Sequence, residues 1–207
     1  MKKKLFFVAS LFFAMASYAQ DNYFFVNAKI GAAIPVNMYR YFATDGPNIG
    51  GEAAYLFSDR KMSFGPLLSV GYFTNKDVEN TFLIINTPDR GSYRNVFCGA
   101  GFLLNIHVSG RFNIGGHMAL GLLHSTRPEK MFYTSTYHVI ELRKSTSNTF
   151  TIKPGIGGRF LLGERLVLSA DMELLLAEQN FKFKIYGGRI DHQVGVFIVN
   201  TGLGIRL

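Results

Sequence analysis

A two-residue period constrains this chain more than any other feature. Between Asn95 and Leu122, apolar residues alternate with small or polar ones on both sides of the turn pair Ser109-Gly110. Before the turn, Val96, Cys98, Ala100, Phe102, Leu104, Ile106 and Val108 hold one parity. Asn95, Gly99, Gly101, Asn105 and His107 hold the other, with Phe97 and Leu103 as exceptions. After it, Phe112, Ile114, Gly116, Met118, Leu120 and Leu122 alternate with Arg111, Asn113, Gly115, His117, Ala119 and Gly121. A period of two places each set on one face of a strand, whereas a helix needs a period of 3.6. A half-buried soluble strand alternates in the same way, so the rest of the chain must decide which solvent the apolar face meets.

The same pattern recurs. It predicts strands near 22–34, 49–57, 62–74, 93–108, 111–124, 147–162, 164–178 and 193–206. The connections alternate in length. Residues 58–61, 109–110 and 163–164 are tight turns, while 35–48, 75–92, 125–146 and 179–192 are long. Eight strands with short turns on one side and long loops on the other are the signature of an outer-membrane barrel. The expected fold is therefore all-β, an eight-stranded antiparallel up-and-down transmembrane β-barrel with short periplasmic turns and long extracellular loops. The even strand count puts both termini on the periplasmic side.

Charge placement identifies the inner face. On 164–178, Leu166, Leu168, Ala170, Met172, Leu174 and Leu176 oppose Arg165, Ser169, Asp171 and Glu173. On the preceding strand, Ile152, Ile156, Phe160 and Leu162 oppose Lys153, Gly155, Gly157 and Arg159. A soluble ligand-binding barrel would be apolar inside and polar outside. Here both signs of charge and many glycines share one face. An eight-stranded barrel is just wide enough inside for side chains to fill. An unpaired charge there is expensive, so Lys29, Glu52, Lys153, Arg159, Asp171, Glu173 and Arg206 are expected to form an ion-pair network. Lipid-facing Tyr55, Phe57, Phe64, Phe112 and Phe160 fall near the short turns, and Tyr72 and Phe150 near the long loops, as interfacial girdles require. Pro66 and Pro154 interrupt predicted strands and each removes a ladder donor, which predicts a bulge or irregularity at both.

Residues 1–19 read as a cleaved signal peptide: Lys2–Lys4, an apolar Leu5–Ala16, then Ser17-Tyr18-Ala19 before the cut. Residues 20–207 form the barrel domain. Cleavage removes three lysines and no acid, which lowers the net charge from +8 to +5. That excess is spread along the chain, so no nucleic-acid partner is expected. Charged residues make up only 17%, against about 25% in soluble domains. The one cysteine, Cys98, has apolar neighbours and reads as a small filler. No cofactor fingerprint, phosphate loop or metal-ligand spacing appears. The five histidines are scattered. Only His107 and His117 share the lumen parity, and pairing Val108 with Arg111 and His107 with Phe112 holds them several rungs apart.

The signal segment, the strand-and-loop rhythm and the Gly-rich final strand "NTGLGIRL" resemble the small eight-stranded outer-membrane β-barrel family, of the OmpA-transmembrane-domain and OmpX type. The resemblance spans nearly all of 22–207. It implies residence in the outer membrane of a Gram-negative-type bacterium. Its implied partners are outer-membrane lipid, lipopolysaccharide and the outer-membrane assembly machinery. Members usually end in Phe, which that machinery reads; this chain ends in Leu207. Family functions run from structural support through adhesion to lipid A modification, so fold does not settle function.

The loops carry the remaining signal. "QNFKFKIYGGRIDHQ" reads as a hairpin turning at Gly187-Gly188. It would point Phe181, Phe183, Ile185 and Ile190 inward, and Lys182, Lys184 and Arg189 outward toward lipopolysaccharide phosphates. A second raised hairpin would turn at 88–91. Exposed edges of such hairpins can recruit an extended protein partner. Tyr39, Tyr41, Phe42, Phe132, Tyr133 and Tyr137 add aromatic surface. The main functional expectation is a non-enzymatic outer-membrane barrel, structural or binding through these loops. One alternative is a lipid A acyl hydrolase or transferase built on His124, Ser125 and Glu129. It is opposed by the alternation itself, because adjacent strand residues point to opposite faces. The other alternative is a small-solute channel, which a filled lumen would block.

Overall fold

The structure is a computed structural model describing residues 22–59, 61–78, 91–128, 130–133, 139–142, 144–182 and 189–207. The signal segment, the turns at 88–90 and 187–188, Glu129, Tyr137, Phe183, Lys184 and Ile185 lie outside them.

Alternation without an interrupting helical stretch yields strands. They are β1 (Tyr23–Val36), β2 (Gly46–Ser58), β3 (Met62–Lys76), β4 (Ser92–His107) and β5 (Phe112–Arg127). Then follow β6 (Lys130–Tyr133), β7 (Val139–Leu142), β8 (Ser145–Leu162), β9 (Leu166–Lys182) and β10 (Arg189–Arg206). Eight of them close a barrel in the order β1-β10-β9-β8-β5-β4-β3-β2, every pair antiparallel. β6 and β7 form a separate hairpin within what the sequence predicts as one long loop. The closing ladder runs from Val36↔Gly195 to Phe25↔Arg206. It ends with Phe24 and Leu207 exchanging both backbone hydrogen bonds, at 2.9 and 2.8 Å.

Two turns differ in register from expectation. His107 pairs with Asn113, and the Val108 amide bonds the Phe112 carbonyl. Residues directly across a ladder share a face. Outward Val108 therefore cannot pair with inward Arg111; the turn takes an extra residue. His117 consequently sits opposite Leu103. Likewise Leu162 pairs with Leu166, so β9 starts at 166 rather than 164. Gly163 makes that turn in the left-handed region, φ 73°, where glycine carries no steric cost.

Neither proline sits at a bulge. Around Pro154 the β8–β9 ladder skips two rungs, between Ile152↔Leu176 and Gly155↔Glu173, and resumes in the same register. Around Pro66 the β2–β3 ladder skips between Ala54↔Leu67 and Phe57↔Phe64 in the same way. Each proline keeps its pairing on the other side, with Met118 and Phe102. The missing N–H faces one neighbour only, so that rung is lost without an inserted residue.

Outward side chains such as Ile30, Leu68, Phe102, Leu122, Ile156 and Met172 are exposed and form the apolar band. Cys98 belongs to it, exposed between Val96 and Ala100, rather than acting as a filler. Tyr55 and Phe57 meet edge to face at 5.2 Å, Phe57 and Phe64 meet at 5.7 Å with their rings tilted by 44°, and Phe112 pairs with Phe160 at the short-turn rim.

The lumen is stratified. On the loop side, Phe73, Phe97, Leu123, Leu175, Val194, Val196 and Ile198 form an apolar layer. On the turn side, Phe25, Leu56, Leu67, Leu103 and Val167 form another. Charged residues lie between them. A 3₁₀ turn at Asn37–Tyr41 folds back over the barrel mouth. Asn37 takes a left-handed φ of 56°, which its short amide side chain tolerates. Tyr39 is therefore not surface. It is 3% exposed, edge to face with Tyr93 at 5.6 Å, and burial pushes its phenol far above the usual range. Phe42 packs on the same layer, while Tyr41 stays exposed beneath the Arg40 guanidinium, 5.1 Å from its ring.

Candidate functional site

The middle layer is built by register. His117 on β5 pairs with Gly155 on β8, which pairs with Glu173 on β9. Gly155 has no side chain, so His117 and Glu173 reach across it, with Nε2 3.3 Å from Oε1. A Cβ at Gly155 would collide with the His117 ring, and one at Gly157 with the Asp171 carboxylate. The glycines on this face are the space into which the long polar groups fold.

Lys29 is the hub. Its ammonium lies 2.6 Å from Glu52, 2.9 Å from Glu173 and 3.2 Å from Asp171. Three carboxylates thus surround an ammonium that carries three donors. Of the three only Glu173 Oε1 accepts a hydrogen bond from it, while Glu52, the shortest contact, and Asp171 contribute charge. Lys153 lies 3.0 Å from Glu173, donates to Ser69 Oγ at 2.8 Å and sits over the Phe97 ring. Arg159 donates to Asn105 Oδ1 at 2.7 Å and lies 3.6 Å from Asp171 and 3.9 Å from Glu52. Three cations thus face three carboxylates, and all six are 4% exposed or less. Matched in number and held within 4 Å of opposite charge, such groups are tolerable in a dry interior; a surplus of either sign would not be.

Of the seven residues expected in the network, the lumen brings together Lys29, Glu52, Lys153, Arg159, Asp171 and Glu173. Arg206 is not among them. Its register partner is Phe25, at the turn-side end, and its guanidinium lies 4.0 Å from the Tyr23 ring centroid. His117 joins instead. The signal for it was its lumen parity on the rung of a glycine, but that rung exists only once β5 and β8 are paired.

The cluster also offers Glu52, His117 and Glu173 ligand atoms within 4.8 Å of one another. The Lys29 ammonium already contacts two of these carboxylates and supplies the positive charge a divalent ion would bring. The arrangement is that of a salt-bridged centre. Two lumenal cavities beside the layers measure about 10 Å³ each, room for a single water at most. No substrate reaches Asp171 or Glu173 through them.

The hydrolase candidates are split by the barrel wall. His124 is on the outer face, its Nδ1 2.6 Å from Asn148 Oδ1. Ser125 is fully buried on the inner face and donates to Asn95 Oδ1 at 2.6 Å. His107, at the turn end, bonds Asn113 at 2.7 Å and is four rungs from His117. Lys182 and Arg189 are register partners at the end of the β9–β10 ladder, next to Phe181↔Ile190. Lys184 falls outside the described residues, as do the side-chain positions of Lys182 and Arg189.

No sequence family and no curated protein matches the chain. Solved structures match its fold. A major outer membrane protein from Thermus thermophilus is 13% identical, with a TM-score of 0.53 over 91% of this chain and 100% of that one. Outer membrane protein OprG from Pseudomonas aeruginosa is 9% identical, with a TM-score of 0.52 over 90% and 96%. Neisserial surface protein A is 10% identical, with a TM-score of 0.50 over 89% and 97%. A closed eight-stranded barrel, an apolar outer band and these likenesses lead to one statement: the chain has the fold of the small eight-stranded outer-membrane β-barrels.

Proposed function

We propose that the protein is a non-enzymatic outer-membrane barrel, structural or binding through its long loops and protruding hairpins. On this reading it is exported by cleavage after Ala19 and inserted in the outer membrane of a Gram-negative-type bacterium. The sealed lumen carries the proposal. Two apolar layers enclose a charge-balanced ionic layer, and the two lumenal cavities beside them hold a single water at most, which supports a filled, structural lumen over a solute path or a buried reaction site. Binding is then left to the outer end. There the β9–β10 ladder continues to Lys182↔Arg189, well past the roughly 9–11 residues of a span. Lys182, Lys184 and Arg189 would meet lipopolysaccharide phosphates, and hairpin edges would accept an extended extracellular protein segment.

The test is mass spectrometry of lipid A from cells with and without the protein. Identical lipid A is the expected result. A shift by one acyl chain would overturn the non-enzymatic reading and direct mutation to the lipid-facing His124.

A further inference from the structure

The eight ladders of the barrel are not equally complete. β8 pairs with β5 up to Arg127↔Ser145, and β9 pairs with β10 up to Lys182↔Arg189. Between β8 and β9 the ladder stops at Thr151↔Ala177. Above that rung, 145–150 of β8 run on along β5 and 178–182 of β9 run on along β10. The two lost rungs at Pro154 lie just below it. Each strand is held by its other neighbour, so the wall parts here without either strand fraying.

A groove of about 290 Å³ lies beside the parting and across β9, between Phe150 and Ile152 on β8 and Gln193 to Gly195 on β10. One wall is lipid-facing: Phe150, Ile152 and Leu176, all exposed. The floor is formed by Ala177 and Val194, whose parity is inward and which pack on the loop-side apolar layer. The groove therefore lies on the outer face, its base resting against the top of the core. Its rim is polar, with Glu178, Gln193 and Asn37. Leu176 is the eleventh residue of β9 from its start at Leu166, which is where a span of about 9–11 residues ends. Apolar walls thus lie at outer-leaflet depth and polar groups at headgroup level.

We infer that this groove seats one acyl chain of an outer-leaflet lipid, its polar end at the Glu178–Gln193–Asn37 rim. The groove is continuous with the lipid-contacting band, so bilayer hydrocarbon is its immediate neighbour. Its volume lies at the bottom of the range of about 300–1,000 Å³ for ligand sites, which suits one chain rather than a whole lipid. A water-filled groove would leave the exposed walls Phe150, Ile152 and Leu176 against water.

The chain has no tryptophan, so an introduced indole is a sole reporter. Ala177→Trp and, on the far lipid face, Phe102→Trp are reconstituted in bilayers of acyl-brominated phosphatidylcholine. Bromine quenches an indole only on close approach. Emission from position 177 should fall as far as from position 102, with little quenching by aqueous acrylamide. Strong acrylamide quenching without bromine quenching would mean a water-filled groove and overturn the inference. No quenching by either would mean a closed seam and overturn it equally. Native mass spectrometry supplies an arm that does not need Ala177→Trp to fold. The wild-type chain released from mixed micelles should retain one lipid, Leu176→Gln should lose it, and Leu168→Gln, lower on the same strand face, should keep it. Equal retention by all three would refute the groove as the lipid's seat.

Discussion

The middle of the lumen and its two ends are made from the same strand faces, yet they use opposite chemistry. In the middle, three cations and three carboxylates interlock around Lys29, with His117 bridging toward Glu173. At the loop side, Phe73, Phe97, Leu123 and Leu175 pack together; at the turn side, Phe25, Leu56, Leu67 and Leu103 do. The apolar layers keep water from the charges, which strengthens their attraction and raises the cost of any imbalance. The ionic layer ties strands that are not neighbours, β1 to β9 through Lys29 and Glu173 at 2.9 Å and, across the ring, β8 to β2 through Arg159 and Glu52 at 3.9 Å. Closure and sealing are thus separate jobs in adjacent slabs of one narrow barrel.

Removing a single charge should break this contrast hardest. Glu173→Ala takes from Lys153 the carboxylate it bonds, leaving Ser69 and the Phe97 ring, and takes one of three carboxylates from Lys29. The expected loss is about 3–5 kcal/mol, the usual cost of orphaning a buried ion, read from the urea midpoint in detergent micelles. A midpoint within error of wild type would mean that water reaches the layer. Next comes the turn-side seal. Leu103→Ala should cost about 2–5 kcal/mol, as large-to-small core changes do, and should expose Arg159 and Asn105 to faster exchange in NMR. Smallest is a change that keeps the balance. Lys153→Met combined with Glu173→Leu leaves two cations facing two carboxylates, and replacing a whole buried pair is often neutral or better, within about 1 kcal/mol. If the double variant fell as far as Glu173→Ala, individual bonds rather than charge balance would hold the layer.

Much of this was legible in the sequence. Alternation marked the strands, the parity carrying Lys29, Glu52, Lys153, Arg159, Asp171 and Glu173 marked the inside, and loop lengths set the up-and-down order. Phe97 and Leu103 read as exceptions to the alternation, yet they are members of the two apolar layers. Arg206 had the right parity but the wrong height, because the closing ladder sets it by Phe25, below the charges. His117 had the right parity and no visible partner until β5, β8 and β9 aligned across Gly155. Tyr39 read as loop surface, and only the left-handed turn at Asn37 sends it into the mouth.

The division has a physical basis. A two-residue period is local: it follows from the pleat of one strand, and so the sequence by itself determined which side chains face lipid and which face the lumen. Height within the lumen is not local. It depends on the stagger each strand takes against its neighbours as the ring closes. Only the tertiary structure could therefore decide which inward residues share a layer, which charges meet, and where the β8–β9 seam parts.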